Sequence, residues 1–277
     1  MKNIVTTDWL SKNLEREEIL IMDTRSVLGD PDYGARSYKE GHLPGAVFVS
    51  VEEVLTGELS EHGGRHPLPD IDKFAKDMEN LGVDDLTEVI VYDDGDLGMA
   101  ARLWWMLKLV GKENVKILGG GIKGWKEKGL ELTTDIPETK KSRGLTVKKA
   151  DGLEISMQDV KELIGKDKAV IVDTRTAERY RGENEPIDKV AGHIPSAVNY
   201  PWTDLTEGSR IPEKDELEKY FEDLRGYDKI VVHCGSGIAC TVNFLFMEEI
   251  GLKPVAYIGS WSDWISYDDN EIVVETK

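Results

Sequence analysis

The chain carries an internal repeat, and this repeat constrains the fold more than any other feature of the sequence. Three short motifs of the first half return in the same order in the second half of the 277 residues. The pairs are Asp23-Thr24-Arg25 with Asp173-Thr174-Arg175, Gly41-His42-Leu43-Pro44 with Gly192-His193-Ile194-Pro195, and Val89-Ile90-Val91-Tyr92 with Ile230-Val231-Val232-His233. We therefore predict two diverged copies of one domain, a number that also fits the chain length.

Each copy alternates short apolar runs with segments whose apolar residues have helical spacing. This alternation predicts an α/β fold: two tandem domains, each with a mainly parallel sheet flanked by helices. The expected strands lie near residues 19–22, 47–49, 89–92 and 115–118, and near 170–172, 198–200, 230–233 and 255–258. A polar segment around Pro137 and Gly144 is typical of a linker. The expected boundaries are 1–135 for the first domain, 136–152 for the linker and 153–277 for the second domain.

The formal net charge of −18 argues against nucleic acid as a partner, because a polyanion would be repelled. An anionic substrate would need a local pocket of arginines for the same reason. Cys234 and Cys240 are too few for a disulfide framework, which favours a reducing, cytoplasmic setting. No apolar run of signal-peptide length follows Met1, and Lys108 interrupts the apolar stretch 103–110, so no membrane partner is expected.

Cys234 is the strongest candidate for a reactive residue, because it follows the apolar run 230–232 on a glycine-rich turn before an expected helix. Unpaired backbone N–H groups and the positive end of a helix dipole would then surround its sulfur and favour the thiolate. The expected backbone donors are Gly235, Ser236, Gly237, Ile238 and Ala239. The matching position of the first copy is Asp93, so this loop lacks the thiol nucleophile. Asp94 and Asp96 follow it, so we expect the first domain to be catalytically silent.

The loop Cys234-Gly235-Ser236-Gly237 resembles the active-site loop of the rhodanese superfamily in its mercaptopyruvate sulfurtransferase form. The segment 192–199 resembles that family's domain signature, and the segment 259–264 its C-terminal signature. The resemblance runs from about Val5 to Trp264. It implies two rhodanese-like domains and an enzyme that moves a sulfane sulfur through a persulfide on Cys234. It also suggests that the Ser236 hydroxyl donates to the substrate or relays a proton.

Three arginines are candidates for binding the substrate: Arg175, Arg179 and Arg181. Arg179 matches an arginine that binds the substrate carboxylate in the family, and a guanidinium fork suits that group. Related enzymes often have a second such arginine shortly before Gly-His-Ile-Pro, but this chain has Glu185, Pro186, Ile187, Asp188 and Lys189 there. The implied partners are a small anionic donor, 3-mercaptopyruvate, and an acceptor that is cyanide or a thiol, either small or thioredoxin-like.

Two other functions remain open from the sequence, and a third is disfavoured. Thiosulfate is the second donor, although its enzymes tend to have basic residues inside the cysteine loop, where this chain has none. A non-enzymatic carrier of persulfide, or a partner-binding module, would use the same cysteine. A phosphatase of this fold is disfavoured because it needs Cys-x5-Arg, and Cys240 stands where that arginine would be.

No metal or cofactor is implied by the sequence, since Gly119-Gly120-Gly121 lacks the spacing and the acidic residue of a dinucleotide fingerprint. His42 and His193 both precede a Leu/Ile-Pro pair, where a histidine usually bonds local backbone, so we expect structural roles. By the resemblance, His42 is also the candidate for a histidine beside the substrate serine. We expect Cys240 to pack on the helix.

Overall fold

A computed structural model describes residues 1–275, and the chain divides into two compact units. The first unit comprises Met1–Gly57, Leu68–Ala150 and Thr206–Ile211. The second comprises Glu58–Pro67, Asp151–Leu205 and the chain from Pro212 onwards. The short segment 58–67 thus belongs to the second unit, although it is flanked in sequence by the first.

The first unit is built around a five-stranded parallel sheet with the order β1-β5-β4-β2-β3. Its strands are β1 (Ile4–Val5), β2 (Ile19–Asp23), β3 (Ala46–Phe48), β4 (Glu88–Tyr92) and β5 (Val115–Leu118). Its helices are α1 (Thr7–Ser11), α2 (Tyr33–Glu40), α3 (Ile71–Asn80), α4 (Gly98–Leu109) and α5 (Gly121–Glu127), with a π-helical turn at Val51–Leu55. Every residue of β2 and β4 is buried, as expected for central strands covered by helices on both faces.

The second unit has a four-stranded parallel sheet with the order β7-β6-β8-β9. Its strands are β6 (Ala169–Asp173), β7 (Val198–Asn199), β8 (Lys229–His233) and β9 (Pro254–Ala256). The helices of this half of the chain are α6 (Met157–Leu163), α7 (Ala177–Arg181), α8 (Thr203–Thr206), α9 (Lys214–Tyr220), α10 (Cys240–Glu249) and α11 (Ser260–Trp264), with 3₁₀ turns at Glu207–Ser209 and Glu222–Gly226.

The predicted α/β fold with two parallel sheets is confirmed. The order β3-β2-β4-β5 of the first unit is the order β7-β6-β8-β9 of the second, and β1 is an addition at one edge of the first sheet. Each unit has its own core, in which apolar residues of the sheet pack with buried tryptophans: Trp125 in the first unit, and Trp261 and Trp264 in the second. None of the helices in the described part of the chain has the length and apolar character that a bilayer crossing requires.

The expected linker contains no helix or strand as far as Ala150, but it is tied to the first unit along much of its length. The Ser142 hydroxyl donates to the Val83 carbonyl at 2.7 Å, and Arg143 Nε pairs with Asp84 at 2.8 Å. The segment therefore lies on the surface of one unit over most of its course.

The repeated motifs have one structural purpose in both units. Arg25 donates to the Asp23 carboxylate at 2.7 Å and to the Gly41 carbonyl at 2.9 Å. In the second unit, Arg175 donates to Asp173 at 2.6 Å and to the Gly192 carbonyl at 2.7 Å. Each arginine therefore ties the end of a central strand to the turn that precedes the His-Leu/Ile-Pro sequence, which explains why both motifs recur together.

We predict that Arg25→Ala destabilises the protein by about 3–5 kcal/mol, because it leaves the fully buried Asp23 carboxylate without its counter-charge. The measurement is the urea concentration at the midpoint of the first unfolding transition, compared with that of the wild type. Arg36→Ala is the matched control, since its pair with Asp30 is exposed, and its unfolding midpoint should stay close to that of the wild type. Equal midpoints for both variants would contradict the structural role of Arg25.

Candidate active site

Cys234 lies directly after β8, in the loop that leads to the first residue of α10. It is only 3% exposed. The loop turns back on itself at Gly237, whose φ of +82° lies in the left-handed region. A Cβ atom at Gly237 would overlap the carbonyl oxygen of Ile258, so the turn requires glycine. The sulfur thus stands at the carboxyl end of a central parallel strand, where ligand sites of open α/β sheets lie.

Hydrogen bonds to the sulfur make Cys234 acidic. The backbone N–H of Gly237 donates to Sγ at 3.1 Å, and the Ser260 hydroxyl lies 3.8 Å from it. Burial acts to raise the pKa of the Cys234 thiol. Hydrogen bonds from the Cys240 thiol and backbone, from the Ser236 backbone and from the Ser260 hydroxyl outweigh it, so the pKa lies well below its usual range. Cys234 is therefore the candidate nucleophile of this site, because the thiolate is the reactive form of a cysteine.

The start of α11 holds the loop in this shape. The N–H of Trp261 donates to the Cys234 carbonyl at 3.0 Å, and that of Ser262 to the Gly235 carbonyl at 2.9 Å. Ser260 has a φ of +58° and accepts the Cys234 N–H at 3.1 Å. Because these bonds satisfy the outward carbonyls of the loop, its N–H groups can turn inward, toward the sulfur.

Ser236 is buried next to a histidine that the sequence did not identify. His66 Nδ1 lies 2.8 Å from the Ser236 hydroxyl oxygen. The histidine beside this serine is thus His66, whereas His42 bonds the carbonyls of Tyr38 at 2.7 Å and Asp135 at 3.2 Å. The alternative role expected for His42 is corrected accordingly, and its structural role is confirmed. His193 bonds the Tyr180 carbonyl at 2.8 Å in the same way.

Arg179 is the predicted arginine that reaches the cysteine loop. A Cβ atom placed on Gly235 would lie 3.2 Å from its Nη2. Two carboxylates hold the guanidinium there: Glu185 contacts Nε at 3.0 Å, and Asp188 contacts Nη2 at 2.9 Å. The side chain is 14% exposed, so its charge acts in a partly desolvated site.

The other two predicted arginines are placed differently. Arg175 is 2% exposed, and its guanidinium serves Asp173, Glu185 and the Gly192 carbonyl, with the Trp261 ring 4.6 Å away. Arg181 pairs with Glu183 at 2.8 Å on the surface. Arg175 thus holds the end of β6 and contacts Glu185, which holds Arg179, whereas Arg181 pairs with a neighbouring acid. Substrate binding by Arg175 and Arg181 stays a prediction.

The five expected backbone donors have different partners. The backbone N–H groups of Ser236 and Gly237 donate to the sulfur, and so does the backbone N–H of Cys240. For Cys240 the sequence predicts only packing on the helix. The carbonyls of Ile238 and Ala239 accept the first bonds of α10, from Thr241 and Val242. The N–H groups of Gly235, Ile238 and Ala239 stay predicted donors for a sulfur attached to Cys234.

At the equivalent loop of the first unit, the chain's own carboxylate occupies the backbone cradle. Asp93 accepts the N–H groups of Gly95 at 2.9 Å, Leu97 at 3.3 Å and Ala100 at 3.1 Å. Burial, with the charge of Asp96 acting in the same direction, raises the pKa of Asp93 to about 7. A fixed carboxylate thus takes the donors that a thiolate receives in the second unit.

Sequence reasoning missed Arg65, His66, Ser260 and the donor role of Cys240. Arg65 lies beside the same loop, with Nη2 3.1 Å from a Cβ atom placed on Gly235. The residue types at 62–67, with two glycines, an arginine and two histidines, were visible in the sequence. No local pattern shows that this segment belongs to the second compact unit. Ser260 could have been found from its place in the C-terminal signature.

Comparisons with known proteins identify the family of the chain. The rhodanese-like domain model matches residues 6–128 and 156–267. The chain is 37% identical, over 95% of both chains, to a probable 3-mercaptopyruvate sulfurtransferase of Pseudomonas aeruginosa. It is 35% identical to a putative thiosulfate sulfurtransferase of Mycobacterium tuberculosis, over 90% of this chain and 89% of the other. The crystal structure of SseA from Escherichia coli, described as a 3-mercaptopyruvate sulfotransferase, matches with a TM-score of 0.82 at 35% identity, covering 95% of this chain and all of the other.

The chain belongs to the rhodanese-like family and carries two copies of its domain. It is an enzyme of the sulfurtransferase class. The predicted family, fold and enzyme class are therefore confirmed.

We predict that Gly237→Ala weakens both the loop and the thiolate. The left-handed φ and the overlap with Ile258 should cost about 1–3 kcal/mol of stability, and the displaced N–H should raise the pKa of Cys234. Alkylation of Cys234 by iodoacetamide measures the second effect as a function of pH. Gly226→Ala is the control, because nothing lies within 4 Å of a Cβ atom there. Unchanged alkylation profiles in both variants would show that the Gly237 amide does not stabilise the thiolate.

Proposed function

We propose that the protein transfers the sulfur of 3-mercaptopyruvate, through a persulfide on Cys234, to a thiol or to cyanide. The observation that carries this proposal is a buried cysteine whose sulfur accepts a backbone N–H, next to a glycine that the Arg179 guanidinium approaches. A thiolate nucleophile on the loop and a cation of α7 that reaches the loop, for the substrate's carboxylate, are then close together. The names of the relatives support the same donor.

In the first half-reaction, the Cys234 thiolate attacks the sulfur of the donor. A sulfur–sulfur bond forms, the carbon–sulfur bond breaks, and its electron pair stays on carbon as the enolate of pyruvate. A proton then converts the enolate to pyruvate. Ser236 and His66 are placed for this step, because the hydroxyl can donate to the developing enolate oxygen and the imidazole can supply the proton through it.

In the second half-reaction, the acceptor attacks the outer sulfur of the persulfide and restores the Cys234 thiolate. A thiol acceptor leaves as its own persulfide, and cyanide leaves as thiocyanate. The backbone N–H groups that stabilise the thiolate also make it a good leaving group in this step. A reducing, cytoplasmic setting suits a cycle that alternates between thiolate and persulfide. The first unit supplies no catalytic residue to this cycle.

Thiosulfate is the second candidate donor, and two observations favour it. A relative is named as a putative thiosulfate sulfurtransferase. Arg65 and Arg179 also place two cations near the loop, which would suit a dianion. The loop itself contains a hydroxyl and no cation, however, so it offers a partner for the ketone oxygen of mercaptopyruvate that thiosulfate would not use.

We predict that mercaptopyruvate treatment adds about 32 Da, the mass of one sulfur, to the peptide that contains Cys234. Cys234→Ser should abolish both this addition and turnover. Cys240→Ser should keep most of the activity, since the serine hydroxyl can still donate to the Cys234 sulfur. Mass spectrometry of the two variants makes the test, and a persulfide found only on Cys240 would overturn the assignment.

Steady-state kinetics distinguishes the two donors and tests the carrier function. Mercaptopyruvate should give the higher kcat/KM when both donors are measured with one acceptor. A tenfold preference for thiosulfate, about 1.4 kcal/mol in transition-state binding, would overturn the donor while the persulfide mechanism survived. A persulfide that forms once but is never turned over would instead indicate a non-enzymatic carrier.

A further inference from the structure

The segment Glu58–Pro67 brings a second arginine to the catalytic loop. It belongs to the compact unit that contains Cys234, although it lies between two parts of the first unit in sequence. Arg65 is the cation of this segment, and 30% of its side chain is exposed.

Contacts with the chain around α11 fix the segment on both sides of Arg65. The Gly63 N–H donates to Asp263 at 2.6 Å, and the Arg65 N–H donates to the Ser262 hydroxyl at 3.1 Å. His62 bonds the Ser266 hydroxyl at 2.8 Å and stacks on a tyrosine ring, Tyr267, at 3.9 Å.

Gly64 allows the close approach that these contacts need. Its φ is +80°, and a Cβ atom at this position would lie 2.8 Å from the Ser262 hydroxyl oxygen. The backbone of Arg65 is thus set by residues of α11, the same short helix that shapes the cysteine loop.

The guanidinium groups of Arg65 and Arg179 converge on Gly235. A Cβ atom at Gly235 would lie 3.1 Å from Nη2 of Arg65 and 3.2 Å from Nη2 of Arg179. One acid lies between them: Oδ1 of Asp188 pairs with Nη1 of Arg65, and Oδ2 pairs with Nη2 of Arg179 at 2.9 Å. The glycine next to the catalytic cysteine therefore leaves the room that the two cations occupy.

Arg65 has a buried N–H donor that is not used in a hydrogen bond within the described residues. Its buried Nε has no hydrogen-bond partner among residues 1–275. Burial lowers the pKa of Arg65, the negative charge of Cys234 opposes this, and the positive charge of Arg179 adds to it. The two guanidiniums repel each other although Asp188 lies between them and Glu185 also holds Arg179. An anion at the unpaired Nε side of Arg65 would reduce the repulsion that remains.

We propose that Arg65 is the second arginine of the donor-binding site and that it grips the carboxylate of the donor together with Arg179. The proposal rests on the proposed function, in which the donor is 3-mercaptopyruvate. In that molecule a carbonyl carbon and a methylene separate the carboxylate from the sulfur. A donor can then lie along the loop, with its sulfur at Cys234, its ketone oxygen at Ser236 and its carboxylate over Gly235.

This arrangement replaces the arginine that the chain lacks before Gly192. Glu185 and Asp188 occupy that stretch, and both hold Arg179. The second cation comes instead from the segment 58–67, so Arg65 would determine the preference for a donor that carries a carboxylate.

The test compares two donors that differ only in the carboxylate: 3-mercaptopyruvate and 1-mercaptopropan-2-one, which has a methyl group in its place. Arg65→Gln should lower kcat/KM for mercaptopyruvate by about 10- to 100-fold, mainly through KM, and by less than about threefold for the neutral donor. Arg65→Lys should lie between, because an ammonium keeps the charge without the fork. Arg179→Gln should show the same dependence on the carboxylate.

Inhibition by pyruvate gives a second readout that needs no turnover of the neutral donor. Its inhibition constant should rise by a similar factor in Arg65→Gln, since pyruvate keeps the carboxylate. Arg225→Gln is the matched control: this arginine is 46% exposed and pairs with Glu218, so both donors should behave as with the wild type.

Equal losses with both donors, together with an unchanged pyruvate constant, would show that Arg65 only supports the segment and would overturn the proposal. Wild-type protein that takes no sulfur from mercaptopyruvate is a different result, because it would overturn the proposed donor and the clamp with it. A carboxylate-dependent loss in Arg65→Gln, with Arg225→Gln unchanged, supports the clamp.

Discussion

The set of hydrogen bonds that reaches the buried sulfur of Cys234 is the interaction on which the rest of the site depends. A sulfur this deeply buried would ordinarily hold its proton, since burial disfavours the charged form. Amide donors such as Gly237, the Ser260 hydroxyl and the Cys240 thiol reverse that preference. Their positions require a loop that bends at a glycine and is held from outside by the start of α11. The acidity of the cysteine is thus a property of the backbone path.

The two copies of the domain show how equivalent strand ends serve different purposes. Both copies keep the strand order and the arginine that ties the strand end to the following turn. In the first copy a carboxylate, that of Asp93, fills its own cradle of N–H groups and leaves no nucleophile. In the second copy the same strand end presents a sulfur. Duplication preserved the scaffold, and the residue at one position separates the copy with a thiolate from the copy without one.

The sequence predicted the features that local patterns encode. Apolar runs located the strands, and the glycine-rich turn after β8 identified Cys234. It could not predict contacts between residues far apart in the chain. His66 meets Ser236 across 170 positions, and the Arg65 amide meets the Ser262 hydroxyl across 197. The composition of the segment 173–182 could not tell which arginine reaches the cysteine loop and which one holds the strand end. Arg175 and Arg179 are four residues apart, yet only the structure shows that Arg175 is buried with its guanidinium fully engaged.

The most direct test of this account is the ultraviolet absorbance of the thiolate as a function of pH, taken as the difference between the wild type and Cys234→Ser. Cys240 is present in both proteins, so the difference reports on Cys234 alone. The account predicts full thiolate absorbance at about pH 7, because the hydrogen bonds to the sulfur stabilise the anion. This absorbance should be lost only on further acidification. A midpoint at or above about 8.5, the value of an ordinary cysteine, would show that burial prevails over the hydrogen bonds and would contradict the account.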